Sequence, residues 1–275
     1  MTTGIAEIGL AQRNGLTRLV HLYQRDPLRV LFPAPAASDP VLAVIVTTSG
    51  GLVAGDHLGI TVSLAPGAAA HVTTSAAEKI YRSTGKTTTI DQEIAVGAGA
   101  VLEYLPPETI LFDGARLRRE TTIDLAPGAG FLGGEIVVLG RRARGERFTS
   151  GLFREVWQVR CAGVLIWGDA LHLEDDVGRT INDPACFDGA GAFATMISRP
   201  PSGDVSRLVR SARAVQSGAT VPGVQAGVTG VAGLCIARWL AADAASLRRV
   251  YADLACHLRS VMLGLPPRLP RIWHV

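Results

Sequence analysis

Apolar and polar positions alternate through much of the chain in short runs, each broken by glycine or proline. Gly59-Ile60-Thr61-Val62-Ser63-Leu64, Thr87-Thr88-Thr89-Ile90-Asp91 and Thr121-Thr122-Ile123-Asp124-Leu125 are β-branched with a period near two, the pattern of a pleated strand with one face buried. A related turn string accompanies them: Leu64-Ala65-Pro66-Gly67-Ala68, Ile94-Ala95-Val96-Gly97-Ala98 and Leu125-Ala126-Pro127-Gly128-Ala129 recur at about 30-residue spacing. Strand pairs that repeat at this interval and stack on one another predict a mostly β chain with a β-helix-like, solenoid body. A β-sandwich is the competing architecture, because evenly spaced turns suit it too. Further strands are predicted at Val41–Val46, Val101–Leu105, Glu135–Leu139, Arg154–Arg160, Val164–Ile166 and Ala170–Leu173. The most apolar run, Val228 to Ala242, reads as one buried strand; it carries Arg238 and falls short of the roughly 20 residues that cross a bilayer.

Helical periodicity appears only late. Asp204 can cap a helix from about Val205 to Gln216 with Gly218 beyond it, and Asp243 can cap one from about Ala244 to Leu263 with Gly264 at its end. In the second, Leu247, Val250, Tyr251, Leu254, Leu258, Val261 and Met262 form one stripe, while Arg248, Arg249, Asp253 and Arg259 take the other face. Pro266-Pro267-Arg268-Leu269-Pro270-Arg271-Ile272-Trp273 follows and is expected to be extended. Its Ile272 and Trp273 either meet a partner or pack back onto the β body. No linker divides the chain, so residues 1–275 are expected to form one domain, with a β body at about 1–200 and 224–242 and a helical part at about 204–217 and 243–264.

Charge and cysteine content narrow the classes. A formal net charge of +3 over 275 residues, with no basic tract, argues against nucleic acid as a partner. Lys79 and Lys86 are the only lysines, so arginine carries nearly all positive charge, which suits bidentate pairing with carboxylates. Cys161, Cys186, Cys235 and Cys256 are far apart and form no C-x-x-C, as expected of reduced thiols in a cytoplasmic protein without a leader or membrane span.

Two glycine strings imitate nucleotide loops. Gly85-Lys86-Thr87 lacks the first glycine of a P-loop and reads as a hairpin turn. Gly128-Ala129-Gly130-Phe131-Leu132-Gly133 matches G-x-G-x-x-G but runs into the strand-like Glu135–Leu139 rather than a helix whose N-terminus could hold a pyrophosphate. No serine or cysteine sits in a nucleophile elbow, and the six histidines have no paired metal-ligand spacing. His71 and His172 on predicted strands read as structural, and His57 stands beside Asp56 in the glycine loop. Enzymatic chemistry is not indicated.

Several motifs in a fixed order resemble the UreD (UreH) urease accessory proteins. They are Thr47-Thr48-Ser49-Gly50-Gly51-Leu52-Val53-Ala54-Gly55-Asp56, Glu78-Lys79-Ile80-Tyr81-Arg82-Ser83, Glu103-Tyr104-Leu105-Pro106-Pro107-Glu108-Thr109-Ile110, Leu139-Gly140-Arg141 with Gly145-Glu146-Arg147-Phe148, and Pro270-Arg271-Ile272-Trp273. Ser49, Ala54 and Pro107 depart from the proline, glycine and glutamine common in the family. The resemblance implies a β-helix-like body with a small helical part. It also implies a non-enzymatic metallochaperone scaffold that binds apo-urease and helps deliver nickel with UreF and the GTPase UreG, in a hetero-oligomeric or dimeric complex. No tightly bound cofactor is expected, only transient Ni²⁺ in a water-filled passage, where carboxylates without thiolates or clustered imidazoles keep affinity modest and exchange fast. On this basis Asp56, Glu135, Asp169 and Glu78 are candidates for the metal path, each with an arginine salt bridge or turn cap as its ordinary alternative. Lys79, Tyr81 and Arg82 are candidates for a lining or docking patch, or for ties between loops and body, with Lys79 and Tyr81 on one face of a strand. Gly50, Gly51 and Gly55 are expected to supply positive φ or close backbone approach. The alternative function is a β-solenoid adaptor without a metal role.

Overall fold

The computed structural model describes residues 2–201, 203–218 and 221–274. Seventeen strands form two sheets. The seven-stranded sheet comprises β1 (Thr3–Arg13), β2 (Leu16–Arg25), β5 (His57–Leu64), β8 (Thr88–Val96), β11 (Arg116–Leu125), β13 (Leu152–Cys161) and β14 (Val164–Glu174), in the order β14-β13-β11-β8-β5-β1-β2. The ten-stranded sheet holds β3 (Leu28–Leu31), β4 (Val41–Thr47), β6 (Ala69–Thr74), β9 (Val101–Tyr104), β12 (Gly130–Leu139), β15 (Ala192–Arg199), β16 (Val224–Val231) and β17 (Leu234–Ala241). Its two short members, β7 (Glu78–Ile80) and β10 (Thr109–Leu111), pair with each other, and β10 also pairs with β12.

The chain crosses from one sheet to the other at each repeat turn, and successive coils pair in parallel: β5 with β8, β8 with β11, β6 with β9, β9 with β12. The result is a β-solenoid of about four turns. The turns stack through the backbone, with Gly97 N donating to Leu64 O at 2.8 Å and Ala126 N to Val96 O at 2.9 Å. A Cβ at Gly97 would lie 2.7 Å from Pro66 N and 2.8 Å from Leu64 O, so only glycine lets adjacent turns approach this closely. The register corrects the sequence echo by two residues. Leu64 and Leu125 both align with Val96, not Ile94, because the inward apolar residue before each turn sets the phase.

The lumen between the sheets is packed by the inward phase of each strand, including Ile8, Leu58, Val62, Ile94, Leu117, Leu102, Phe131 and Phe153. A second core lies on the outer face of the ten-stranded sheet. There α2 (Val205–Gly218) and α3 (Ala244–Leu263) follow the short helix α1 (Val177–Asn182) in chain order and cover β12, β15 and β17. The caps are those anticipated: Asp204 Oδ1 accepts from Arg207 N at 2.9 Å, Asp243 Oδ1 from Ser246 N at 2.8 Å, and Gly264 closes α3 at φ 66°.

Several expectations need correction. Val228–Ala242 is not one strand but most of the β16–β17 hairpin, turned at Ala232-Gly233, with β16 largely exposed. Val164–Ile166 and Ala170–Leu173 are one strand, β14. The Gly85 turn joins β7 and β8, which lie in different sheets, so it is a crossing between sheets and not a hairpin. The tail is not wholly extended: Arg271–His274 makes a 3₁₀ turn after Pro270, which pre-sets the helical φ, and Trp273 is buried against the body. Val261 is exposed, whereas Arg259, expected on the polar face of α3, is fully buried because carboxylates meet it there.

At the opposite end of the solenoid the first coil has no cap. β2 is the terminal strand of its sheet and exposes Leu16, Leu19, Val20, Leu22 and Tyr23, beside the exposed Leu31 and Phe32.

Candidate functional site: a polar file through the lumen

Polar side chains occupy the inward phase at one level of the otherwise apolar lumen. β11 points Leu117, Arg119, Thr121 and Ile123 inward, and β13 points Phe153, Glu155, Trp157 and Val159. Arg119 and Glu155 are direct neighbours in the parallel register. On the facing sheet Glu135 of β12 lies opposite Thr195 of β15, which lies opposite Arg238 of β17, and Thr109 of β10 lies opposite Glu78 of β7. Because these partners are matched across strands, they form a file along the solenoid axis, from Thr47 and Glu78 to Asp169 and Arg238.

The centre of the file is a buried ion cluster. Arg119 Nε lies 2.8 and 2.9 Å from the two Glu155 oxygens, one terminal nitrogen donates to Thr109 Oγ1 at 2.8 Å, and the other bridges Glu155 and Glu135. All four residues are buried. Two carboxylates share one guanidinium: burial, reinforced by the neighbouring Glu155 charge, pushes the Glu135 carboxyl well above the usual range, with Arg119 opposing. At the narrow end Glu78 accepts from Thr47 Oγ1 at 2.5 Å, and burial raises its carboxyl too. At the other end Asp169 and Arg238 form a 2.6 Å ion pair between the two sheets, half exposed.

The file is not solid. A wide pocket of about 470 Å³ opens between β14, β16 and β17 and is lined by Glu135, Glu155, Trp157, Asp169, Thr195 and Arg238. A second cavity, of about 40 Å³, lies on the other side of Glu135 and is lined by Arg119, Thr109, Glu78 and Thr47. One donor beside these spaces, the Tyr104 hydroxyl, is buried without a hydrogen-bond partner among the described residues, while the Trp157 indole is directed at Glu135. Buried orphan donors next to polar voids are where ordered water belongs.

Of the four proposed path acids, Glu78, Glu135 and Asp169 therefore lie along this file. Asp56 does not. It is buried at the end of the glycine loop and caps Thr2 N and Val53 N at 2.8 and 3.0 Å. Pro107 lines the narrow cavity and makes that wall apolar. The two other motifs zip together outside the file. Leu52 N donates to Lys79 O and Tyr81 N to Leu52 O, while the Tyr81 hydroxyl donates to Gly50 O at 3.1 Å. Gly50, Gly51 and Gly55 have φ of 73°, 143° and 86°, and a Cβ at Gly51 would meet the Tyr81 ring at 2.6 Å. Lys79 and Tyr81 share that face; Tyr81 stacks edge-on against Phe112, and Arg82 pairs with Asp113 at 3.0 Å. Tyr81 and Arg82 thus tie loops to the body, and Lys79 is exposed.

His71 is buried with Nδ1 3.0 Å from Glu103, His57 sits 2.7 Å from the Thr89 hydroxyl, and His172 is exposed beside Glu174. Among the described residues no three His, Cys, Asp or Glu side chains converge as a metal cage, and the four cysteines are free. No described helix is long and apolar enough to cross a membrane. Sequence reasoning missed Arg119, Glu155, Thr109 and Thr195. A signal existed for the first two: each puts a charge in the inward, apolar phase of its strand, and the charges are opposite.

The family model described as "UreD urease accessory protein" matches residues 2–274. Over 274 residues the chain is 42% identical to a urease accessory protein UreD of Magnetococcus marinus, covering 99% of this chain and 94% of the relative. The UreD of Azorhizobium caulinodans is 40% identical, covering 98% and 95%, and that of Rhodopseudomonas palustris 38%, covering 94% and 88%. A match of this length and strength, on a solenoid of the kind the motifs imply, places the chain in the UreD family of urease accessory proteins.

Proposed function

We propose that this chain acts in the cytoplasm as a non-catalytic scaffold for urease maturation, docking apo-urease together with UreF and the GTPase UreG, and that Ni²⁺ is its cargo. The observation that carries the metal part is the polar file: three acids, threonine hydroxyls and the unpartnered Tyr104 hydroxyl along voids inside a lumen that is otherwise apolar. A buried ion cluster is weak as a stabilising device, since well-packed apolar residues would serve as well or better. Its presence is better explained by a use. The donors are oxygens without thiolate or paired imidazole, which bind Ni²⁺ weakly enough to release it. An uncapped first coil with exposed leucines suits a protein that works in a complex.

The competing reading is an adaptor with no metal role, favoured by the arginine pairing of both Glu135 and Asp169. Reconstitution separates the two. Urease activated with a Glu78→Gln/Glu135→Gln/Asp169→Asn variant should contain several-fold less nickel than with the unaltered chain, while co-purification of urease and UreF persists. Full nickel content in such complexes would establish the adaptor.

A further inference from the structure

The middle of the file contains a fixed positive charge, which a simple cation passage should avoid. The Arg119 guanidinium lies at the focus of Glu135, both oxygens of Glu155 and the Thr109 hydroxyl, every one of them buried. Carboxylate and hydroxyl oxygens converging from three directions are also what a divalent cation takes from protein. A separate observation points the same way. The Tyr104 hydroxyl, on a residue 2% exposed, has no hydrogen-bond partner among the described residues, yet it lines the same narrow cavity as Thr109, Arg119 and Glu135 and feels the charges of Arg119 and Glu155.

We propose that Glu135, Glu155, Thr109 and Tyr104 form a latent divalent-cation site for which Arg119 is the resident placeholder. A divalent ion entering the file competes with the guanidinium for the same oxygens. Arg119 cannot yield by losing its proton, because the two carboxylates outweigh the desolvation that would discharge it and push its pKa up. It yields only by moving, into the wide pocket that adjoins Glu135 and Glu155. The ion's gain is thus offset by the pairing it breaks, which keeps its hold on the site loose and reversible. This rests on the passage reading for its purpose, but the binding it predicts is independent of urease.

The test is titration of the full chain with Mn²⁺, followed by the electron paramagnetic resonance of free Mn²⁺, and with Ni²⁺ by calorimetry. Arg119→Met should bind one ion per chain at least tenfold more tightly than the unaltered protein, and Arg119→Met/Glu135→Gln should lose that gain. Equal affinity of Arg119→Met and the unaltered chain, or a gain that survives removal of Glu135, overturns the proposal. Should Arg119→Met fail to fold, Arg119→Lys serves: its ammonium cannot span both carboxylates, so a several-fold gain is expected, and no gain overturns the site. Urease maturation then separates the two levels. A metal-trapping Arg119 variant should deliver less nickel; trapping with undiminished delivery keeps the site and removes the passage.

Discussion

Arg259→Met probes the clamp that holds the helical layer against the solenoid. Arg259 projects from α3, fully buried, and donates to both Glu103 oxygens at 2.9 and 3.1 Å, to Asp39 at 3.2 Å and to the Arg268 carbonyl. Glu103 is itself fully buried and has His71 as its other side-chain partner among the described residues. Removing one partner of a buried pair leaves an uncompensated charge and costs about 3–5 kcal/mol. At about 2–4 °C per kcal/mol for a chain of this size, the melting temperature should fall by roughly 6–20 °C. The pH dependence carries a sign. In the native protein burial raises the Glu103 carboxyl, but the His71 hydrogen bond and Arg259 outweigh it and its pKa is lowered from 4.5. A depressed acid contributes stability above its unfolded value, lost as pH falls through the folded one. Without Arg259 two of the influences that lower it are lost while His71 remains, so the folded pKa rises and acid should relieve part of the damage. Scanning calorimetry at pH 5 and pH 8 should therefore show a smaller deficit at pH 5. A deficit equal at both pH values, or a melting temperature within 1 °C of the unaltered protein, would refute the reasoning. The clamp matters to the lumen because α3 seats Tyr251 against Gly134, next to Glu135 on the same strand.

Trp273→Ala should cost about 3–5 kcal/mol in urea unfolding, because the indole stacks on Tyr251 at 6.0 Å, donates to Leu105 O at 3.0 Å and lies under the Arg248 guanidinium. Gly97→Ala forces a methyl group against the Pro66 and Leu64 backbone and should destabilise by about 1–3 kcal/mol in the same assay, although the position looks like an ordinary surface turn. Glu135→Gln should change stability by no more than about 1 kcal/mol, since burial disfavours the charged form that the amide removes. An acid with a raised folded pKa contributes stability that is lost as pH rises from its unfolded value through the folded one, so the variant should also decline less in thermal scans at rising pH from 4.5 upward.

How much of this was legible follows from which signals are local. The solenoid was visible in the turn echo, because each coil repeats the same apolar residue, turn and strand. The helix caps were visible because Asp204 and Asp243 act on backbone three residues away. The first three strands, β10, β15 and the short α1 were not anticipated; several are brief, and β2 is polar or exposed on both faces and so lacks a clean period. Arg259 defeated the helical pattern because Glu103, distant in sequence, supplies the partner that lets it be buried. In the site, Glu78, Glu135 and Asp169 came from the family resemblance, but Arg119 and Glu155 emerged only when β11 and β13 were laid side by side. Asp56 looked equivalent to the other acids in sequence; its role as a backbone cap depends on Thr2, which the fold brings 2.8 Å away.

The central claim is that cargo passes through the lumen, and obstruction tests it most directly. Thr195 faces Glu135 and lines the wide pocket at its approach to the ion cluster, so Thr195→Phe should fill that approach while leaving the outer surfaces intact. Nickel per urease active site, measured by mass spectrometry after maturation with equal amounts of assembled complex, should fall several-fold relative to the unaltered chain. Undiminished nickel with the lumen plugged would contradict the account.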